Sequence, residues 1–265
     1  MAVMMSIQDL AFGYGGRVIG KDVNLSVNEG EALCLMGPNG CGKTTLFRTL
    51  LGLLPPLGGK LEMRGRPVQA YTRAEFARHV AYVPQAGSSY FPFTVLNVVM
   101  MARASRIGTF ATPSAHDRDL SFVALERLGL SHLAERSFNE ISGGERQMTL
   151  IARALVQEAE LIVMDEPTAS LDFGNQARVL DCINELRGSG LSIVLSTHDP
   201  GHAFAFADRA VLMKQGRVVA DGSPAEAVTP GRLHSLYGVE VAVEFMPEAG
   251  RSICAPALGR FRGKV

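Results

Sequence analysis

The feature of this sequence that most constrains its fold is the glycine-rich stretch GPNGCGKT at residues 37–44. A short apolar run, ALCLM at 32–36, comes directly before it, and KTTLFRTLLGLL at 43–54 has apolar residues at helical spacing. This pattern matches the P-loop in full, in the strand–loop–helix setting that a P-loop requires. Its glycines let backbone N–H groups approach phosphate oxygens closely, and the start of the following helix favours negative charge. The stretch therefore predicts a site for a nucleoside triphosphate.

The individual residues of this loop have expected roles. Lys43 would place a positive charge against the β- and γ-phosphates, and the hydroxyl of Thr44 can coordinate Mg²⁺. The alternative, a chance glycine-rich turn, leaves the strand and helix patterns on both sides unexplained. The residues expected to contact the nucleotide are Gly37, Pro38, Asn39, Gly40, Cys41, Gly42, Lys43, Thr44 and Thr45.

A pair of acidic residues is the expected complement of this loop. Asp165 and Glu166 end the apolar run LIVMDE at 161–166, and ligands of α/β proteins bind at the carboxyl ends of strands. Asp165 is predicted to hold Mg²⁺. Glu166 is predicted to accept a proton from the attacking water, which contributes about 10²–10⁴-fold to a rate. The alternative is a solvated acidic pair at a strand end.

A histidine follows another strand-like run. His198 comes after LSIVLST at 191–197 and is predicted to approach the same γ-phosphate. His198 and His202 have a spacing that can bind zinc on a helix, but Pro200 lies between them and no third ligand is near in sequence. We therefore expect no zinc site and interpret His202 as a surface histidine.

Composition narrows the class of protein. Of the 265 residues, 26 are Lys or Arg and 26 are Asp or Glu, so the net charge of zero gives no general attraction to nucleic acid. The four cysteines show no CxxC spacing and are expected to be reduced and packed as small apolar groups. The start, MAVMMSIQDL, lacks the pattern of a secretion signal. Apolar runs fall short of the roughly 20 residues that span a bilayer.

Strand-like and helix-like segments alternate along the chain, which predicts an α/β fold with a mostly parallel sheet. Residues 3–35 read as short strands, separated by turns at AFGYGG and VNEGE. Residues of about 88–157 read as a helical insertion, and no clear pattern follows residue 246. The other predicted elements are strands at 80–85, 161–167, 191–199 and 209–222 and a helix at 175–190.

A second glycine-rich loop, ISGGE at 141–145, precedes another helix-like stretch. Six motifs then stand in a fixed order: the P-loop, Gln85, this loop, LIVMDE, SLD at 170–172 and His198. In this order the chain resembles the ATP-binding subunit of an ATP-binding-cassette (ABC) transporter. The resemblance implies a P-loop NTPase cassette over residues 1–245, with an N-terminal antiparallel β subdomain, a mostly parallel core sheet and a helical subdomain. Residues 246–265 would form a tail of unknown role.

The resemblance gives the second loop a function. In this family two cassettes stack head to tail, and the loop of one covers the ATP and Mg²⁺ held by the other. The resemblance also implies that Asp172 bridges the cassettes, that Gln85 contacts Mg²⁺ or the attacking water, and that Tyr14 stacks on adenine. The residues that would act on the partner's ATP are Ser142, Gly143, Gly144 and Glu145.

Alternatives remain for three of these residues. Ser142 and Glu145 also form the pattern of a helix capping box, which can coexist with a role in the dimer. Tyr14 is alternatively a buried strand tyrosine. Two residues depart from the usual family pattern, Ile141 in place of Leu and Glu145 in place of Gln, and both leave the serine and the glycines intact.

The region between Gln85 and the second loop resembles one group within the family. SSYFPFTVLNVVMMARASRIGTFATPSAHD (88–117) and YGVEVAV (237–243) are similar to the ATPases of type II importers for iron-siderophores, haem, vitamin B12 and molybdate. RIGTFATPSAHD in particular resembles molybdate or tungstate importers. This implies two membrane-spanning permease subunits, an extracytoplasmic binding protein as an indirect partner, and a peripheral position on the cytoplasmic face of the membrane.

Other members of the family are the alternatives. Exporters commonly fuse the cassette to membrane helices. Soluble DNA-repair or chromosome-organising ATPases separate the two halves of the cassette by a long coiled coil, whereas here only 99 residues separate Lys43 from Ser142 and no sustained heptads lie between them. Translation-associated proteins of the family carry two cassettes on one chain.

Overall fold

The computed structural model describes residues 2–85, 92–107 and 112–257. These residues form two compact units. The first contains residues up to Gly65 together with those from Val194 onward, and the second is Arg66–Ile193.

Parts of three predicted segments lie outside the described residues. They are 88–91 of the helical insertion, 108–111 of the stretch that resembles molybdate importers, and 258–265 of the tail.

The strands and helices take the following bounds. The strands are β1 Val3–Tyr14, β2 Arg17–Asn28, β3 Ala32–Met36, β4 Gly58–Met63, β5 Arg66–Pro67, β6 Val80–Val83, β7 Leu161–Asp165, β8 Ser192–Thr197, β9 Arg209–Lys214, β10 Arg217–Gly222, β11 Val241–Met246 and β12 Arg251–Pro256. The α-helices are α1 Lys43–Leu50, α2 Arg73–Phe76, α3 Val95–Met100, α4 Ala115–Arg127, α5 Gly143–Val156, α6 Phe173–Gly188, α7 Pro200–Phe206, α8 Pro224–Ala227 and α9 Pro230–Tyr237.

The first unit contains an antiparallel sheet in which β1 pairs with both β2 and β4. The strands at the start of the chain are longer in the structure than the sequence predicted. AFGY, predicted as part of a turn, belongs to β1, and only Gly15 and Gly16 form the turn. Both glycines have positive φ angles, 56° and 77°, which suit glycine in a tight connection. β1 and β2 are each 12 residues long, and their register shifts at several points along the pair.

The core sheet of the first unit has the strand order β10-β9-β3-β8. β3 runs parallel to β9, with Cys34 opposite Ala210, and β9 forms an antiparallel hairpin with β10. Every residue of β3 and of β8 is buried. Continuous apolar runs are typical of strands covered on both faces, which is why these two strands were predictable.

The second unit combines a parallel strand pair with packed helices. β6 pairs with β7, with Val80 opposite Leu161 and Val83 opposite Met164. Helices α3, α4 and α5 pack against one another, and they lie within the segment predicted to be helical. This unit therefore places β7 and the N-terminus of α5 in one compact body.

A buried arginine holds the helices of the second unit together. Arg103 donates to Asp117 on α4 at 2.8 Å, to Glu158 after α5 at 2.7 Å and to the carbonyl of Val156 at 3.1 Å. Hydrogen bonds from Ser114 and the Arg103 guanidinium hold the pKa of Asp117 well below its usual range. The carboxylate therefore stays charged, and the pair is satisfied on both sides.

The chain after α9 forms a hairpin in the first unit. β11 pairs with β12, with Val241 opposite Pro256, and β12 packs against α7. The sequence shows no clear alternation here, because most hairpin residues are exposed or half-buried and RSICAP mixes polar, small and apolar groups. In the part of the chain that the structure describes, no helix combines the length and apolar character needed to cross a bilayer.

Candidate functional site

The P-loop connects β3 to α1 in the first unit. Gly40 and Gly42 have φ angles of 77° and 107°, which residues with a side chain rarely adopt. Lys43 is 5% exposed, and its ammonium donates to the carbonyl oxygens of Gly37 at 2.7 Å and Pro38 at 3.4 Å. The lysine thus folds back over its own loop, and its charge lies inside the loop where phosphate is expected.

Neighbouring atoms leave no room for a side chain at Gly37, the first residue of the loop. A Cβ on Gly37 would lie 2.3 Å from the carbonyl oxygen of Met213 and 2.7 Å from the sulfur of Cys41. The N–H of Gly216, in the β9–β10 turn, donates to the carbonyl of Cys41 at 2.9 Å. Cys41 is buried, as the packing role predicted for the cysteines requires. The β9–β10 hairpin therefore contacts the P-loop at Gly37 and Cys41 and supports its backbone.

The outer surface of the loop is accessible. Asn39, Gly40 and Thr44 are exposed, and Thr45 is half-buried. The start of α1 has no side-chain cap and no acidic residue in its first turn. Its N–H groups and positive dipole end are thus suited to an anion.

Two more predicted site residues belong to the first unit. Tyr14 ends β1 and is 56% exposed, so the alternative of a buried strand tyrosine is wrong. His198 directly follows β8 and is exposed. Its carbonyl accepts a hydrogen bond from the hydroxyl of Tyr237 at 3.2 Å.

The interpretation of His202 as a surface histidine is wrong. It is 7% exposed, on α7, and its Nδ1 lies 2.8 Å from the hydroxyl of Thr197. Burial is the main reason that its pKa is lowered. Sequence alone missed this because α7 is only seven residues long and offers too little periodicity to show which face is buried.

The acidic pair lies in the second unit at the end of β7. Asp165 is 7% exposed and is the last residue of the strand. Glu166 has a φ angle of 47°, a left-handed conformation that is uncommon outside glycine, and is partly exposed. Such conformations cost energy and concentrate at functional sites. Gln85 is exposed, two residues after β6.

The second glycine-rich loop caps α5, also in the second unit. The N–H of Ser142 donates to Glu145 Oε2 at 2.7 Å, and the N–H of Glu145 donates to the Ser142 hydroxyl oxygen at 3.3 Å. Hydrogen bonds to the Glu145 carboxylate from the side chain and the backbone N–H of Ser142 lower the pKa of Glu145. The capping-box alternative is therefore confirmed as local structure. Ser142 remains exposed, so capping leaves its outer face accessible.

A contact that the sequence did not indicate links this loop to Asp172. Asp172 caps α6 and accepts from both the backbone N–H and the side-chain amide of Asn175, at 2.8 and 2.9 Å. A Cβ on Gly144 would lie 2.3 Å from Asn175 Oδ1, whereas one on Gly143 would find its nearest neighbour, Leu171, at 3.6 Å. Asn175 thus connects the glycine loop and the aspartate predicted to bridge two cassettes.

This contact predicts different effects for the two glycines. Gly144→Ala is expected to lower the free energy of unfolding by about 1–3 kcal/mol, the usual cost of overpacking. Gly143→Ala, the matched control, should leave it almost unchanged. Thermal unfolding of the purified chain measures both. Asn175→Ala added to Gly144→Ala removes the two nearest atoms but leaves Cβ of residue 175 at 2.9 Å, so it should recover part of the loss. Equal unfolding temperatures for the two glycine variants would contradict the contact.

The residues predicted to bind Mg²⁺ offer suitable chemistry. Thr44, Gln85 and Asp165 present a hydroxyl, an amide oxygen and a carboxylate, which are the hard oxygen ligands that Mg²⁺ prefers. Within residues 2–85, 92–107 and 112–257, no three His, Cys, Asp or Glu side chains group as a metal site.

Comparison with known proteins gives consistent matches. Residues 20–169 match the family model described as ABC transporter. The chain is 43% identical over 235 residues to an uncharacterized ABC transporter ATP-binding protein of Haemophilus influenzae, covering 89% of each chain. It is 38% identical to the molybdate import ATP-binding protein MolC of the same species, covering 80% of this chain and 79% of MolC.

Two further matches extend over nearly the whole chain. The hemin import ATP-binding protein HmuV of Thermobifida fusca is 36% identical, over 96% of this chain and 89% of HmuV. A solved structure described as an inward-facing metal-chelate type ABC transporter superposes with a TM-score of 0.86 at 34% identity, over 98% of this chain and 99% of the other.

Proposed function

This chain belongs to the ABC transporter family, and from that premise we propose that it is the ATP-hydrolysing subunit of a type II importer for a metal complex or an oxyanion. ATP-binding subunits of this family bind and hydrolyse ATP, and the complete P-loop with its enclosed Lys43 supports the same activity here. The observation that carries the importer assignment is the likeness to a metal-chelate transporter and to haem and molybdate import subunits over most of the chain.

The positions and exposure of the loop residues support the roles proposed for them. The N–H groups of the loop and of the start of α1 bind the phosphates, and Lys43 exchanges its two carbonyl partners for phosphate oxygens. Tyr14, exposed at the end of β1, stacks on the adenine ring. Thr44, exposed at the start of α1, turns its hydroxyl toward Mg²⁺.

The other proposed roles concern hydrolysis. Asp165 and Gln85 would also hold Mg²⁺ through oxygen atoms, and the ion would neutralise charge on the phosphates. Glu166 accepts a proton from the attacking water, and His198 hydrogen-bonds the γ-phosphate and orients that water. The left-handed backbone at Glu166 supports a functional reason for keeping a carboxylate at this position.

We further propose that two copies of this chain bind ATP between them. Ser142 and the N–H groups of Gly143 and Gly144 lie at the positive end of α5, which suits the γ-phosphate of an ATP held by the partner copy. Asp172 contacts the partner cassette while remaining tied to Asn175. ATP binding closes the dimer, and hydrolysis reopens it, so that binding energy shifts a two-state equilibrium.

Transport requires subunits that this chain does not supply. The proposed partners are two membrane-spanning permease subunits, with an extracytoplasmic binding protein acting through them. The chain would then lie peripherally on the cytoplasmic face of the membrane.

A reconstitution experiment tests this function. The chain, purified with its permease and placed in liposomes, is expected to hydrolyse ATP faster when a binding protein loaded with haem, an iron-siderophore, cobalamin or molybdate is added. Uptake of one of these compounds would establish import and identify the cargo. ATP-driven movement in the opposite direction, or ATPase activity that no loaded binding protein changes, would overturn the importer assignment.

A further inference from the structure

The backbone on both sides of His198 is held by one buried ring. The N–H of Asp199 donates to the Thr197 hydroxyl oxygen at 3.0 Å, and this oxygen lies 2.8 Å from Nδ1 of His202. Thr197 and Asp199 are the two chain neighbours of His198, so His202 connects to the residue before it and to the residue after it. The ring of His202 is almost fully buried, whereas the side chain of His198 is exposed.

The hydrogen-bond pattern around His202 fits a neutral ring with its proton on Nε2. The Thr197 hydroxyl oxygen accepts from the N–H of Asp199, and the hydroxyl can donate its own proton to Nδ1 of His202. An accepting Nδ1 places the proton of the neutral ring on Nε2, which lies 3.5 Å from Asp199 Oδ2. Asp199 in turn caps α7 by accepting from the N–H of Gly201 at 2.8 Å. Each polar group of this cluster therefore faces a complementary one.

We propose that Thr197, His202 and Asp199 form a positioning cluster that holds His198 in the orientation needed for hydrolysis. His202 is a positioning residue here, because it acts through the backbone of His198 and not on the nucleotide. The inference rests on the role proposed for His198 in ATP hydrolysis.

Two other observations support the cluster. The pKa of His202 is lowered, chiefly by burial, so the neutral ring, which this hydrogen-bond pattern accommodates, is the favoured form. The Tyr237 hydroxyl donates to the carbonyl of His198, and β12 packs against α7, so the segments after α8 restrain the same turn. Hydrogen bonds thus hold the backbone on both sides of the exposed His198 side chain. Such an arrangement is expected where a side chain must be placed accurately.

Steady-state ATPase kinetics of the full chain test the proposal. His202→Leu and Thr197→Val are each expected to lower kcat about tenfold or more, since a displacement of about 1 Å can cost up to 10²-fold. KM and the Kd for ATP should stay within about twofold, because the P-loop is untouched. The double variant should lose less kcat than the product of the two single losses, because both single variants remove the bond between Thr197 and His202.

A conservative variant and a matched control separate positioning from folding. His202→Asn keeps an acceptor near the place of Nδ1 and should recover at least half of the lost kcat. His234→Asn changes an exposed histidine on α9 and should leave kcat unchanged. Unchanged kcat in Thr197→Val, whose side chain has the same shape as threonine, would overturn the proposal even if His202→Leu failed to fold. A double variant whose loss of kcat equals the product of the two single losses would also overturn it. A His202→Asn variant that recovers none of the lost kcat would do the same.

A variant of His198 distinguishes failure of this inference from failure of the proposed function. His198→Ala is expected to remove most of the ATPase activity, and His202→Leu should then cause no further loss. Full activity in His198→Ala would overturn the role proposed for His198 together with this inference. An inactive His198→Ala beside a fully active His202→Leu would overturn the inference alone.

Discussion

Replacement of Glu166 by glutamine is expected to lower kcat for ATP hydrolysis by about 10²–10⁴-fold, the usual contribution of a general base. Glutamine keeps the size and the hydrogen-bonding oxygen of the side chain but cannot accept the proton of the attacking water. The Kd for ATP should remain near its original value, because the phosphate-binding loop is unchanged. Single-turnover hydrolysis and equilibrium ATP binding measure the two effects separately.

The same variant also tests the proposed dimer. If hydrolysis reopens two cassettes closed around ATP, Glu166→Gln should accumulate as an ATP-bound dimer in size-exclusion chromatography with light scattering. Glu160→Gln, a change just before the same strand, is the matched control and should stay active and show no such accumulation. Turnover close to that of the unchanged chain would remove Glu166 from the role of base. ATP-bound protein that stays monomeric and turns over at full speed would contradict the dimer.

Most of the core was predictable from the sequence because its strands and helices carry strong patterns. β3, β7 and β8 are buried over their whole length, and buried strands read as continuous apolar runs. The helix predicted at 175–190 is α6, displaced by two residues at each end. Helix ends depend on local caps, here Asp172, which periodicity does not reveal.

The hairpin of β11 and β12 was not predicted for a physical reason. A two-stranded hairpin with mostly exposed faces has no buried side to impose an alternating pattern. Its stability depends on packing against α7, a contact that joins residues about fifty positions apart.

The candidate site likewise has features that the sequence predicted and features that it did not. The P-loop and the capping box are local, since their residues lie within a few positions of each other, and the sequence predicted both. The contact of Gly144 with Asn175 depends on how α6 packs, and the bond of Thr197 to His202 depends on the turn from β8 into the short helix α7, so their geometry came only from the structure. Such contacts decide how tightly the predicted residues are held.

Replacement of Lys43 by methionine is expected to weaken ATP binding about 100-fold. Methionine fills a similar volume but carries no charge, and hydrogen bonds to charged groups contribute about 1.5–3 kcal/mol each, with about 1.4 kcal/mol equal to tenfold in affinity. The loop itself should stay folded, because Gly37, Cys41 and Gly216 keep their backbone contacts. The change therefore acts on the nucleotide more than on the fold.

Thermal unfolding with and without MgATP separates these two effects. A ligand that binds only the folded chain raises the unfolding temperature, and this rise shrinks when the Kd increases. Lys43→Met should unfold near the temperature of the unchanged chain without ATP and lose most of the rise that ATP produces. Lys60→Met, which removes an exposed charge on β4, should keep the full rise. If Lys43→Met kept it as well, the ammonium that now contacts the Gly37 and Pro38 carbonyls would hold the loop together without contributing to ATP affinity.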